Sequence, residues 1–324
     1  MPANLPPEYF QTERKYRQAK TPQEKISSLE EMLMIMPKHK GTDKLRAALR
    51  RKIARLKDVI ISQKYKGGRR ASYYIDKEGA GQVVITGLPN VGKSSLLRAV
   101  TRAKPEVADY PFTTRTPTPG MMDYEDINIQ LVDTPPLSEV AEPWFIDILK
   151  RADVLLIILD LTDDPLKQWE ETLRLLRTFK IIPKDVLQDI YGFTIKKIVV
   201  ALNKQDMPGA SERLANFKWD VILPLISIIS ISAQKNENLD LLGKHLYQAL
   251  DIIRVYSKTP GKKPDLNEPY VLEKGSTILG LAERVHKEIA AKLKFARIWN
   301  KKSNGLRVEK NYVLCDKDIV ELRV

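Results

Sequence analysis

Cysteine is almost missing: Cys315 is the only one in 324 residues. That excludes an intrachain disulfide and fits a reducing compartment. Long apolar runs are missing too. None approaches the ~20 residues that cross a bilayer, so no membrane partner is expected. Met1-Pro2-Ala3-Asn4-Leu5 lacks the basic-then-apolar pattern of a secretory leader, and the expected location is the cytoplasm. No internal repeat and no low-complexity tract occurs. With 43% hydrophobic and 29% charged residues, the chain reads as globular and long enough for two or three cores.

Acidic residues are scarce at both ends. Residues 1–80 carry 19 Lys/Arg against 9 Asp/Glu, and residues 257–324 carry 15 against 9. Residues 81–256 carry 20 against 23, so the middle is near neutral although the whole chain is +13. Charge divided in this way points to a polyanionic partner for the flanks; a basic surface that serves only solubility is the alternative.

Residues 1–66 read as a helical hairpin. Thr21-Pro22-Gln23-Glu24 has the form of a capping box with proline in the first helical position. Ile26, Leu29, Met32, Leu33 and Met36 follow at helical spacing. Pro37-Lys38-His39-Lys40-Gly41 breaks that helix. Thr42 can cap a second, with Leu45, Leu49, Ile53, Leu56 and Ile60 as its apolar stripe. Lys66-Gly67-Gly68-Arg69-Arg70 reads as a basic link.

From 81 to 256, short apolar runs alternate with helical patterns, which predicts an α/β domain with helices on both faces of a mostly parallel sheet. The strand candidates are 83–86, 127–132, 154–160, 198–203 and 226–231, with 119–123 pairing to 127–132 across Tyr124-Glu125-Asp126. Residues 257–264, rich in Pro, Gly and Lys, read as a linker. The tail, 265–324, offers strands near 270–273, 295–299 and 319–324 with a helix over 277–291, a small α+β domain.

The chemistry centres on Gly87-Leu88-Pro89-Asn90-Val91-Gly92-Lys93-Ser94-Ser95, placed between the apolar run Val83–Thr86 and a helical pattern. This is the phosphate loop G-x-x-x-x-G-K-[ST] in its strand–loop–helix context. Glycines let successive N–H groups turn inward on a phosphate, and the helix N-terminus adds partial positive charge. Lys93 can reach the β- and γ-phosphates, and the Ser94 hydroxyl can sit on Mg²⁺. Asp133, ending an apolar run, can hold the same Mg²⁺ through water. Asn203-Lys204-Gln205-Asp206 follows another apolar run. There Asp206 can accept both the N1 and N2 hydrogens of guanine, the Lys204 stem can lie along the base, and Asn203 can tie this loop to the phosphate loop. Adenine lacks that donor pair, so the motif selects GTP and GDP over adenine nucleotides. Ser232-Ala233-Gln234 is a weak fifth element.

These stretches resemble the Obg–HflX class of translation-associated GTPases, most closely the developmentally regulated GTP-binding proteins and their archaeal relatives. The resemblance is carried by residues 87–95, by Ala108-Asp109-Tyr110-Pro111-Phe112-Thr113-Thr114 and by Pro37–Thr42. In the tail it is carried by Phe295-Ala296-Arg297-Ile298-Trp299-Asn300, His286 and Asp316-Lys317-Asp318-Ile319-Val320. It implies a P-loop GTPase domain followed by a TGS domain, a ubiquitin-like β-grasp module. It implies that Thr114, with Thr113 as the alternative, ligates Mg²⁺ when the γ-phosphate is present. Asn90 matches the residue that supports a K⁺ ion in potassium-dependent relatives. The implied partners are the ribosome, ribosomal RNA and translation factors. The glycine-rich N-terminal domain of bacterial Obg is not visible here.

Two positions depart from the common pattern. Pro136 stands where the family's Asp-x-x-Gly glycine gives an N–H to the γ-phosphate, and proline has none. Leu137 occupies the place of the water-positioning glutamine of many GTPases, as is usual in this class. The expected activity is slow GTP hydrolysis, with Lys93, Thr114 and Asn90 as the catalytic set. The alternative is a GTP-gated adaptor with negligible hydrolysis, bound to RNA or an acidic protein.

Overall fold

The computed structural model describes residues 22–36, 75–101, 116–184, 191–216, 226–301 and 303–324, with isolated positions 6, 9, 12, 49 and 52. Apart from positions 49 and 52, the second helix of the expected hairpin lies outside the described residues, as does the stretch 108–114 with Thr113 and Thr114. The chain divides into two units, residues 1–72 and 73–324.

In the first unit, α1 (Pro22–Ile35) starts at the proline the capping pattern marks. Leu29, Met32 and Met36, at helical spacing, are buried and cluster with Tyr9 and Leu49.

The second unit contains two sheets. The larger is built from β1 (Gln82–Thr86), β2 (Thr118–Tyr124), β3 (Ile127–Asp133), β4 (Val154–Asp160), β5 (Ile181–Pro183), β6 (Thr194–Asn203) and β7 (Ser227–Ser230). Its path is β2-β3-β1-β4-β6-β5, with β7 also paired to β6. Only β2 runs antiparallel, with Met121 opposite Gln130. Six consecutive residues of β4, Val154 to Leu159, are completely buried, because a parallel sheet is covered on both faces. The covering helices are α2 (Lys93–Val100), α3 (Pro143–Arg151), α4 (Pro165–Thr178), α5 (Ala210–Asn216) and α6 (Leu239–Leu250). Two apolar clusters form as a result. Val84, Val132, Leu155 and Leu159 belong to one, with Phe145 and Trp169, while Val83, Ile85, Leu156 and Ile158 belong to the other, with Leu96 and Leu246. Asp164 caps α4, its carboxylate accepting the N–H groups of Leu166 and Lys167, with Pro165 in the first turn.

The smaller sheet runs β11-β10-β12-β8-β9, from β8 (Ile252–Ser257), β9 (Tyr270–Glu273), β10 (Phe295–Trp299), β11 (Asn304–Val308) and β12 (Asp318–Arg323). Its helices are α7 (Ile278–Val285) and α8 (Lys287–Lys292). The sequence reading expects one helix there. The chain breaks it at His286, whose backbone is extended and whose Nδ1 accepts the Glu288 N–H. The sequence reading also ends the larger domain at 256 and begins the smaller at 265. Yet β8 pairs with β12 and β9, so the smaller sheet takes up the chain from Ile252. Ile253 and Val255 fill the smaller core, while Arg254, between them, points the other way.

Arg254 joins the two sheets. It is 2% exposed. Its Nη1 donates to Glu125 at 2.6 Å and to Asp126 at 2.7 Å, both in the β2–β3 turn. Its Nη2 donates to Asp316 at 2.8 Å. Tyr247 of α6 donates to Asp316, Tyr256 of β8 to Asp126, and Lys317 pairs with Glu125. Among the described residues no helix is long and apolar enough to cross a membrane.

Candidate functional site

The phosphate loop leaves β1 and enters α2, so its N–H groups lie at a helix N-terminus. Two glycines are forced. Gly87 has φ +147°, and a Cβ there would meet the Ile158 carbonyl at 2.6 Å. Gly92 has φ +94°, and a Cβ would meet Asn203 Nδ2 at 2.3 Å. Asn90, exposed at the tip with Pro89, is itself left-handed at φ +63°. Lys93 is 7% exposed, and its Nζ donates to the carbonyls of Gly87 at 3.1 Å and Leu88 at 2.7 Å. The ammonium is thereby held over the loop. Ser95 is exposed on the first turn of α2, and Val91 is packed into the core.

Parallel order brings the other candidates to the same edge. Asp133 ends β3 beside β1, and Ser94 Oγ donates to its Oδ2 at 2.5 Å. A hydroxyl and a carboxylate oxygen this close make a hard donor pair that suits Mg²⁺, a cation usually completed by phosphate oxygens and water. Asn203 ends β6. It donates to the Val91 carbonyl at 2.9 Å and accepts the Ala233 N–H at 3.1 Å, joining three loops. Asp206 accepts from Ser232 Oγ at 2.7 Å, and the Lys235 N–H is bound to the same Ser232 oxygen. Gln234 is exposed beside them. Lys204, left-handed at φ +66°, pairs with Asp160 at 2.5 Å. Sequence reasoning missed Asp160. Its only signal is its place as the last residue of an apolar strand, where it pairs in register with Asn203.

Leu137 is 3% exposed within the larger sheet's core, and its N–H donates to the Gly87 carbonyl at 3.0 Å. It is a packing residue. Thr134, next to Asp133, donates its hydroxyl to the Ile85 carbonyl at 2.7 Å, fastening the start of this loop to β1.

The loops thus meet at the carboxyl ends of β1, β3, β6 and the segment after β7, the edge where open parallel sheets bind ligands. Residues 82–204 match the family model described as 50S ribosome-binding GTPase, and residues 253–324 match that of the TGS domain. The chain thus carries a segment similar to the G domain of P-loop GTPases, followed by one similar to TGS domains. Proteins to which it is similar include developmentally regulated GTP-binding proteins. It is 25% identical to human developmentally-regulated GTP-binding protein 2, covering 92% of this chain and 98% of that protein. It is 29% identical to an uncharacterized GTP-binding protein of Methanocaldococcus jannaschii, over 93% of this chain and 92% of that one. In fold it is similar to the Schizosaccharomyces pombe YchF GTPase, with a TM-score of 0.50 at 14% identity, over 76% of this chain and 99% of that chain.

Proposed function

We propose that the chain is a cytoplasmic GTP-dependent switch that hydrolyses GTP slowly and works with the ribosome or a ribosome-associated factor. One observation carries the nucleotide half: at one sheet edge Ser94 bonds Asp133, Ser232 bonds Asp206, Lys93 bonds the phosphate-loop carbonyls, and Asn203 ties that loop to Ala233. Asp206 reads guanine, and Ser232 orients it. Lys93 exchanges the loop carbonyls for the β- and γ-phosphates. Ser94, Asp133 and Thr114 would hold Mg²⁺, which neutralises charge on those phosphates. The intrinsic rate is on the order of 10⁻⁴ to 10⁻² s⁻¹, the range of unassisted switch GTPases. Asn90, exposed at the loop tip, would hold a K⁺ ion that supplies positive charge in the transition state.

The polyanion half is supported by the flanks' charge and by the open side of the smaller sheet. Phe295, Arg297 and Trp299 alternate along β10, with Arg323 paired to Phe295 and Arg307 to Arg297. The Arg307 guanidinium lies 4.2 Å over Phe295, and the Lys258 ammonium 4.5 Å over Trp299. Glu321, among them, is 2% exposed and paired to Lys258 and Arg323. Cations and ring faces together suit phosphate and base.

A specific observation favours the adaptor as second reading. Pro136 has no N–H, and the next N–H, of Leu137, is bound to Gly87. Single-turnover hydrolysis in K⁺ and in Na⁺, with and without ribosomes, separates the two. The switch reading expects turnover to rise with K⁺ and again with ribosomes, and Asn90→Ala to flatten the K⁺ response. No turnover under any condition leaves the adaptor. For the partner, full-length Arg297→Glu/Arg307→Glu should lose ribosome co-sedimentation and the steep salt dependence of the parent; unchanged co-sedimentation removes that face from the reading.

A further inference from the structure

We infer that Asp160 is a positioning residue for guanine recognition, holding the Lys204 ammonium so that the lysine stem is already laid out as a shelf for the base. The inference rests on the reading of this edge as a GTP site.

Asp160 and Lys204 stand on neighbouring strand ends. Asp160 closes β4 and pairs in register with Asn203, the last residue of β6, and Lys204 follows. The Leu161 N–H donates to the Asn203 carbonyl at 3.0 Å, and Arg213 Nη1 donates to the Leu161 carbonyl at 3.2 Å. The two loops are therefore one fabric rather than two exposed ends.

Every hydrogen-bonding face of Asp160 is used. Gln168 of α4, 7% exposed, clamps the backbone from both sides. Its Oε1 accepts the Asp160 N–H at 2.8 Å, and its Nε2 donates to the Asp160 carbonyl at 2.9 Å. Oδ1 accepts the Thr162 N–H at 2.8 Å and the Thr162 hydroxyl at 2.7 Å. Only Oδ2 is left for Lys204, at 2.5 Å. A carboxylate fixed on one oxygen by two donors offers the other in one direction. Burial alone would raise its pKa, but the bonds from Lys204 and Thr162 outweigh that and leave it below the ordinary aspartate value, so it is charged at neutral pH.

An exposed Lys–Asp pair is worth little. This one is not fully exposed, with the two side chains at 32% and 14%. Its value also falls on binding more than on folding. A free lysine chain carries about 2 kcal/mol of rotamer entropy, much of it lost when the stem is trapped against a base. Holding the ammonium beforehand removes most of that loss from the binding step. The backbone supports this use, because Lys204 sits at φ +66°, a conformation that costs a non-glycine residue of order 1 kcal/mol or more.

The test is a double-mutant cycle on GDP affinity in the full chain, with inorganic triphosphate as a second probe that engages the phosphate loop alone. Asp160→Asn should weaken GDP about tenfold, mainly through faster release. It should leave triphosphate affinity unchanged. In a Lys204→Ala background the same substitution should cost less than about twofold, since nothing remains to position. Thr162→Val, which removes one of the two donors fixing the carboxylate, should give a smaller loss of the same kind and serves if Asp160→Asn folds poorly. A loss that is equal in both backgrounds, or that appears equally with triphosphate, means Asp160 only supports the loop and overturns the inference. An unchanged GDP affinity for Asp160→Asn and Thr162→Val overturns it as well. If instead Asp206→Asn leaves GTP affinity untouched, it is the guanine reading that fails.

Discussion

The guanine edge and the Arg254 junction are both built from charged and polar side chains, yet they are finished to different degrees. At the junction one guanidinium, 2% exposed, meets Glu125, Asp126 and Asp316; Tyr247 donates to Asp316, Tyr256 to Asp126, and Lys317 pairs with Glu125. Its pKa is pushed up. Burial works against this, and the bonds from Asp316, Glu125 and Asp126 overcome it. At the nucleotide edge the side chains are linked in short bonds but keep exposed ends: Pro89, Asn90, Ser94 and Gln234 face solvent. A junction satisfied within the protein stores its energy in the fold. A binding edge keeps donors and acceptors for a ligand to complete.

The largest expected effects break the comparison in opposite ways. Arg254→Leu leaves the carboxylates of two elements without their cation, a defect that costs about 2–4 kcal/mol even after allowing for the partial exposure of Glu125. Thermal unfolding should fall by roughly 5–15 °C, while GTP affinity measured well below the transition changes by less than about threefold. Asp206→Asn should do the reverse. GTP binding should fall by about 100-fold or more, because the guanine donors lose their acceptor pair. Xanthosine triphosphate, with a carbonyl where guanine has its amine, should bind the variant better than the parent. Melting without nucleotide should stay within about 2 °C. If the two variants shift the same observable, the division between stored and available bonds is wrong.

Gly92→Ala sharpens the comparison at the point where the binding edge is itself packed. The new methyl would sit 2.3 Å from Asn203 Nδ2 on a backbone at φ +94°. We expect a stability loss of about 1–3 kcal/mol together with at least tenfold weaker GTP binding, because Asn203 is pushed off both Val91 and Ala233. A variant that melts normally and binds normally would show that the loop relaxes around the methyl.

The same difference explains what the sequence could tell. A ligand holds its residues at fixed spacing along the chain, so Gly87–Ser95 and Asn203–Asp206 are legible as words. β1, β3, β4 and β6 are legible as apolar runs because a parallel sheet is buried on both faces. The junction is legible nowhere. Glu125 and Asp126 look like an ordinary polar turn, and their partners lie 129 and 128 residues further on, at Arg254. For the same reason β8 has no signal of its own: its apolar alternation follows α6 directly, and its partner β12 begins only at Asp318. Short β5 and exposed β11 carry too few apolar residues to register. Asp160 belongs with these, since a carboxylate at a strand end has no signature until Lys204 is folded beside it.

The smallest effect expected is a pH dependence that belongs to the junction and not to the edge. Burial would raise Asp126 and Asp316, but bonds from Tyr256, Arg254 and Tyr247 leave both below the usual carboxylate range. Glu125 is lowered chiefly by Lys317 and then by Arg254. Groups with depressed folded pKa values contribute stability that is complete above their unfolded pKa, near pH 4, and that is lost as the pH falls through the folded values. Other carboxylates, Asp251 and Glu321 among them, are lowered as well, so the parent's acid sensitivity alone assigns nothing. The difference between parent and Arg254→Leu does, because the unrelated groups cancel. That difference, read from urea midpoints and slopes between pH 7 and pH 3, should be flat down to about pH 5 and should shrink by about 1 kcal/mol below pH 4. A constant difference across the range would mean that the guanidinium acts there by filling space between the sheets, and that the charges it gathers are incidental.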